Sequence, residues 1–171
     1  EVQAKAKQDG PPLPKPLELE FVRACLNPKR AEAYFWYGLD LIALDLHTLK
    51  QRVLWRRPEG FLPSMNNCTA DGKYVLEGIW QDLSDRIATD LLRGYVGFEE
   101  IYEARPWSRI MRVATDGSSV DCVHEEKYWI GHVNTSPTQP RLITYCHEGP
   151  WSKVDHRIWG MDIDRGETWQ I

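Results

Sequence analysis

The sequence predicts an all-β fold built from repeated four-stranded antiparallel units, and three observations carry that expectation. One pattern occurs three times along the 171 residues: strand, polar turn, strand, connection, strand, tight turn, strand. Segments such as "DLIALDL" and "RIWGMDI" alternate apolar with small or polar residues, and Asn-Pro, Asp-Gly and Arg-Gly turn signals flank the strands. Without the inserted connections each unit is about forty residues, the size of one propeller blade. The expected architecture is a β-propeller, with about three blades in this chain and a short helical insertion in the middle blade.

Residues 1–16, "EVQAKAKQDGPPLPKP", are a polar, Pro-rich lead. Residues 17–57 form the first blade, from "LEFVRACLNPKRAE" through "AYFWYG" and "DLIALDL" to "HTLKQRVLWR". Residues 58–127 form the second, through "PSMNNCTADGKY", "KYVLEGIW", "SRIMRVAT" and "DGSSVDCVHE". Residues 128–171 form the third, through "IGHVNTSPTQPR", "RLITYCHEG", "HRIWGMDI" and "DRGETWQI". A blade buries its faces only against neighbouring blades, and closure typically takes four to eight of them. Three blades leave two faces open, so the chain is expected to be part of a larger propeller whose remaining blades are its partners.

The connection between strands two and three is longest in the second blade, and the insertion spans residues 81–106. "SDRIATDLLRGY" predicts a helix capped at Ser84, with Ile87, Leu91 and Leu92 on one face. "GFEEIYEARP" predicts a second short helix stopped by Pro106. The insertion reads either as a surface excursion or as a lid over one end of the propeller.

Composition excludes several classes. The net charge is −4 and the basic residues are scattered, which argues against a nucleic-acid binder. Apolar runs are too short to span a membrane. Cys25, Cys68, Cys122 and Cys146 form no CxxC pair. Reduced, buried thiols are expected, which fits a reducing compartment and a cytoplasmic location.

The chemistry-bearing residues gather late in the chain. His132 follows Gly131 in the first strand of the third blade, the strand that lines a propeller's channel. His147 and Glu148 stand in "CHEGPW", where the strand breaks at Gly149-Pro150, and His156 begins the next strand. A His/Glu/His cluster raises a metal, yet the spacing matches no zinc signature. Arg109 and Arg112 are three apart on a strand and so face opposite ways. Either one can form a salt bridge or recognise a carboxylate. Most tryptophans are expected to fill wedges between blades, with Trp107 and Trp151, beside strand breaks, as sugar platforms. A hydrolase would want paired carboxylates at a fixed separation; Glu99, Glu100 and Glu103 could serve, but the expectation is a solvated helix face for them. A non-catalytic propeller module that binds a protein or a glycan remains the alternative to an enzyme.

Three stretches then carry a resemblance: "DLLRGYVGFEEIYEARPWSRIMRV", "WIGHVNTSPTQPRLITYCHEGPWSKVDHRIWGMDI" and "LDLHTLKQRVLW". From about Leu17 onward the chain resembles the oligogalacturonate lyases, seven-bladed propeller enzymes of pectin breakdown. The resemblance implies β-elimination on short galacturonate chains, in which a base removes the C5 proton and the C4 glycosidic oxygen leaves. It carries the base onto His132. It carries the arginine that steadies the negative charge onto Arg109, with Arg112 as the alternative under a one-residue strand slip. It implies a divalent metal, typically manganese, held by three histidines and a glutamine downstream of "HEGPW", so no metal ligand is expected in this chain. His147, Glu148 and Trp151, with Arg93 of the insertion, are the expected substrate-side contacts. The isolated piece is expected to be inactive.

Overall fold

The three repeats are three four-stranded antiparallel sheets, each with its strands in sequence order. They are seen in a computed structural model that describes residues 24–91 and 94–171. The polar lead and the start of the first predicted strand lie outside the described residues. The first sheet holds β1 (Ala24–Asn27), β2 (Glu32–Tyr37), β3 (Asp40–Asp45) and β4 (Gln51–Arg56). The second holds β5 (Phe61–Cys68), β6 (Tyr74–Gln81), β7 (Trp107–Ala114) and β8 (Val120–Lys127). The third holds β9 (Ile130–Thr135), β10 (Leu142–His147), β11 (Ile158–Asp162) and β12 (Glu167–Gln170). The helix α1 (Phe98–Ala104) lies in the connection between β6 and β7.

Face-to-face packing explains why the middle sheet's inner strands read as nearly continuous apolar runs. Neighbours on a strand point to opposite faces. Val75 and Val113 enter a core with Tyr34, Leu41 and Leu54 of the first sheet. Leu76 and Ile110 enter another with Ile130, Ile143 and Met161 of the third. Polar side chains stitch the layers together. Trp36 donates from Nε1 to the buried Glu77 at 3.0 Å. Arg52 holds Glu32 at 2.7 Å and donates to the Thr115 carbonyl at 2.5 Å, tying the first sheet to the second.

The first strands of the second and third sheets run side by side in the same direction. Asn67 donates to the Val133 carbonyl at 2.7 Å, and Thr135 donates to the Cys68 carbonyl at 2.6 Å. Phe61, opening β5, and His132, near the start of β9, therefore lie toward one end of the stack. Gln81 pairs with Phe61, and His147 with Ile130, so the β6–β7 and β10–β11 connections leave from that same end.

The insertion departs from expectation in its first half. Of the predicted helix over "SDRIATDLLRGY", the described residues 84–91 hold a single turn, in which Ile87 N–H donates to the Leu83 carbonyl at 2.8 Å, and Leu92 lies outside the described residues. Asp90 and Val96 then exchange two backbone hydrogen bonds of 3.0 Å, which closes a small loop instead. A short isolated helix is marginal, and tertiary burial decides its fate. Ile87 and Leu91 reach the cluster of Trp80, Leu83, Ile101 and Trp129 without a helix. The second half forms as predicted. Gly97 enters α1 with φ 78°, Glu99 and Glu100 occupy its first turn, and Arg105 ends it in the left-handed region before Pro106.

Candidate active site

The site begins with a bulge in β9. Cys146 pairs with Gly131 and Thr144 with Asn134, so two residues of β9, His132 and Val133, face Tyr145 alone. His132 accommodates the extra residue at φ 47°, a region that a side chain rarely adopts. The bulge resolves a packing conflict. Ile130 and Val133, three apart, would face opposite ways in a regular strand, yet both are fully buried in one core. The bulge turns His132 outward instead, with its side chain 56% exposed.

Glu148 holds the imidazole from behind. Its backbone N–H donates to the Trp129 carbonyl at 2.8 Å, and its side chain is 8% exposed. One carboxylate oxygen meets His132 Nδ1, and the other accepts from Arg157 Nη2 at 2.8 Å. A carboxylate already paired with a guanidinium is an acceptor. In the neutral imidazole this places the shared hydrogen on Nδ1 and the lone pair on Nε2. Gly131 makes room for this arrangement, because a Cβ there would fall 2.7 Å from Glu148 Cγ. Arg157 also donates to the Gly149 carbonyl at 3.1 Å, and its guanidinium lies 4.7 Å from the Trp151 ring centroid. Trp151 is 84% exposed at this same end.

The other predicted residues are placed as follows. Arg109, on β7, is paired with Glu125 and lies 4.9 Å over the Phe61 ring, at the His132 end of the stack. Both members of that pair are more than a third exposed. Arg112 faces the other way and bonds Asp164 at 3.2 Å and Asp121 at 3.3 Å. Asp164 sits in the β11–β12 turn, at the far end from His132. His147 is buried on the opposite face of β10 from Glu148. Its ring stacks on Tyr128 at 3.8 Å, and Nε2 meets Glu126 at 2.7 Å. Burial pushes the Glu126 carboxyl up, but hydrogen bonds from His124 and His147 outweigh it and hold it down at about 2. Arg93 lies outside the described residues. His156 accepts the Ile171 N–H at 3.1 Å. Glu99 and Glu103 both hold Lys153.

The three stretches that raised the resemblance all lie within these sheets and their connections. The family model for oligogalacturonate lyase matches residues 22–170, which is most of the chain. The chain belongs to the oligogalacturonate lyase family. An oligogalacturonide lyase of Pectobacterium atrosepticum is 27% identical over 131 residues, covering 73% of this chain and 31% of the relative. An oligogalacturonate lyase of Dickeya dadantii is 26% identical over 146 residues, covering 81% of this chain and 35% of the relative. The chain thus spans about a third of the length of these curated relatives. Among solved structures, an oligogalacturonate lyase in complex with manganese matches with a TM-score of 0.75 at 24% identity, covering 86% of this chain and 39% of that one. The oligogalacturonate lyase of Vibrio parahaemolyticus matches with a TM-score of 0.75 at 21% identity, with the same coverage. These likenesses establish the propeller fold.

In this member of the oligogalacturonate lyase family, one group of donors among the described residues is compact enough to consider for a metal. Single ligand atoms of His132, Cys146 and Glu148 lie within 4.8 Å of one another. The group does not fit a hard divalent ion such as manganese, which favours oxygen-rich sites. Burial pushes the Cys146 thiol up, and Glu148 adds to the effect, which disfavours the thiolate a metal would bind. Glu148 is already shared between His132 and Arg157.

The aromatic expectation divides cleanly in this lyase-family chain. Trp36 and Trp55 fill the first interface edge to face at 5.7 Å, and Trp80 and Trp129 pack at 5.3 Å under the insertion. Trp107 and Trp151 remain exposed. Sequence reasoning assigned no role to Arg157 or Tyr102. The signal for Arg157 was its place in "VDHRIW". For Tyr102 it was a buried-type aromatic on a helix otherwise rich in glutamate.

Proposed function

We propose that the complete protein is a lyase that cleaves short oligogalacturonates by β-elimination, with His132 as the base. The observation that carries this is the exposed His132 imidazole, held by the buried Glu148 through Nδ1 and so left with Nε2 for a substrate. The family and the relatives' names supply the substrate class.

The C5 hydrogen lies alpha to a carboxylate and is very weakly acidic while that carboxylate is uncompensated. Charge neutralisation must accompany proton removal. His132 Nε2 takes the proton, the C5 electron pair forms the C4–C5 double bond, and the C4 oxygen leaves with its pair. Glu148 stabilises the imidazolium that forms. Arg109 is the proposed guanidinium for the developing negative charge. Two points support it over Arg112: it lies at the His132 end, and one carboxylate holds it where two hold Arg112. An exposed ion pair contributes little, so a substrate carboxylate can replace Glu125 at small cost. Trp151 offers a flat apolar face to a pyranose ring. His147, Glu148 and Arg93 complete the proposed substrate side, with His147 acting through Tyr128 and Glu126 rather than by direct contact.

The relative solved with manganese brings a divalent cation into the proposal. When bound, such an ion neutralises a uronate carboxylate. Its ligands are proposed to lie outside this chain, as are the blades that complete the propeller. The exposed Leu26 and Val53 on the first sheet, and Ile158, Trp169 and Ile171 on the third, fit faces that further blades would cover. The described residues contain no helix long and apolar enough to cross a membrane. We propose a cytoplasmic location.

The test is an ultraviolet assay for the unsaturated product, using oligogalacturonate, manganese and the complete protein. Absorbance that grows with the wild type and is absent with oligogalacturonate-free blanks is expected. No product under these conditions removes the reading. The 171-residue piece alone is expected to form none.

A further inference from the structure

The Glu148 carboxylate is held by Arg157, and Arg157 is held by the Gly149 carbonyl at 3.1 Å. What fixes Gly149 is α1, an element of the neighbouring sheet. The Tyr102 ring packs against Gly149, whose φ is +150°, and a Cβ at Gly149 would fall 2.8 Å from Tyr102 Cγ. Tyr102 Oη donates to the Lys153 carbonyl at 2.7 Å, on the far side of the same connection. Arg105 lies against two rings that meet edge to face, 4.3 Å from the Tyr102 centroid and 4.0 Å from that of Tyr128, and donates to Tyr102 Oη at 3.0 Å. Lys153 Nζ returns to α1 through Glu103 at 2.6 Å and through Glu99. The helix itself is anchored by Ile101, which is fully buried with Trp80 and Trp129.

We propose that Tyr102 is a positioning residue for the His132–Glu148 pair, and that the insertion is a buttress for the base rather than a lid over it. This rests on the reading of His132 as the base. The path is one of direct contacts: Tyr102 sets Gly149 and the Lys153 carbonyl, the Gly149 carbonyl sets Arg157, Arg157 sets Glu148, and Glu148 sets the tautomer and direction of His132. Tyr102 touches no reacting atom. Its effect is on how often Nε2 points at C5, which appears in kcat more than in KM.

The experiment compares Tyr102→Phe and Tyr102→Ala in the complete protein, with two readouts. Nitrogen NMR of labelled histidine reports which His132 nitrogen carries the hydrogen, independently of turnover. Steady-state kinetics report kcat and KM. Tyr102→Ala is expected to convert one His132 tautomer into a mixture and to lower kcat about tenfold, with KM changed less than about twofold. Tyr102→Phe keeps the ring on Gly149 and is expected to retain most of kcat, within about threefold. An unchanged tautomer in a folded Tyr102→Ala protein overturns the proposal, and so does a loss confined to KM. If Tyr102→Ala does not fold, Glu99→Gln with Glu103→Gln removes the exposed tether to Lys153. A partial mixture of tautomers then supports the proposal, and a single tautomer overturns it. These outcomes are separable from failure of the functional reading, which would show as full turnover by His132→Ala whatever Tyr102 does.

Discussion

His132 Nδ1 and the buried carboxylate of Glu148 share one hydrogen bond across sixteen residues of sequence, from a bulged strand to the broken end of its neighbour. In a neutral imidazole the bond places the hydrogen on Nδ1 and leaves Nε2 free. Replacing the carboxylate by an amide keeps the volume but loses the tautomer preference, because an amide can donate as well as accept. Glu148→Gln is expected to lower kcat on the order of 10²-fold with KM little changed, measured by initial rates of unsaturated product. Turnover within twofold of wild type would show that Glu148 does not serve the base.

Gly131 lies where Glu148 must pass. A methyl group there meets the Glu148 side chain at 2.7 Å from Cγ and closer still at the carboxylate. Gly131→Ala is expected to destabilise the protein by roughly 1–3 kcal/mol, through overpacking, and to lose most activity in the fraction that stays folded. Thermal melts and rates on the same preparation check both.

Trp151 has few contacts to lose, being 84% exposed and touching Arg157 through its ring face. Trp151→Ala is expected to leave the melting temperature nearly unchanged. KM should rise severalfold, roughly the value of one stacked face of about 1 kcal/mol. A melting temperature that falls sharply with an unchanged KM would make it a structural residue.

Glu32 supplies a pH signature of the fold. Burial pushes its carboxyl up, but hydrogen bonds from Arg52, Tyr34 and Arg30 outweigh it and bring it down to about 2 from an ordinary 4.5. A depressed folded value means stability that is fully present above the unfolded value and is lost as pH falls through the folded one. The loss should therefore run from about pH 4.5 down to about 2, and amount to roughly 2–3 kcal/mol. Glu32→Gln should flatten that part of a plot of unfolding free energy against pH. An unaltered acid limb would place the acid sensitivity elsewhere.

The sheets were legible because strand alternation and turn residues act locally. "DLIALDL" and "HTLKQRVLWR" became β3 and β4, and the ten-residue break at "EGPWSKVDHR" separates β10 from β11. The helix over 84–95 was misread because Ile87 and Leu91 match a helical period yet are buried by a loop that the Asp90–Val96 pair closes. His132 stood out as a residue type, but its bulge did not, since nothing local says that Ile130 and Val133 must enter one core. Arg157 was hidden for another reason. It meets Glu148 only because the chain folds back between them, and the ring of Tyr102, on the distant helix α1, packs against that return at Gly149.

The central claim is that the outward nitrogen of His132 removes the C5 proton. His132→Ala in the complete protein, assayed with oligogalacturonate and manganese, tests it most directly. A folded variant with turnover reduced by 10²-fold or more, on the order expected for loss of a general base, is the predicted result. A folded variant that forms the unsaturated product at near wild-type rate contradicts it.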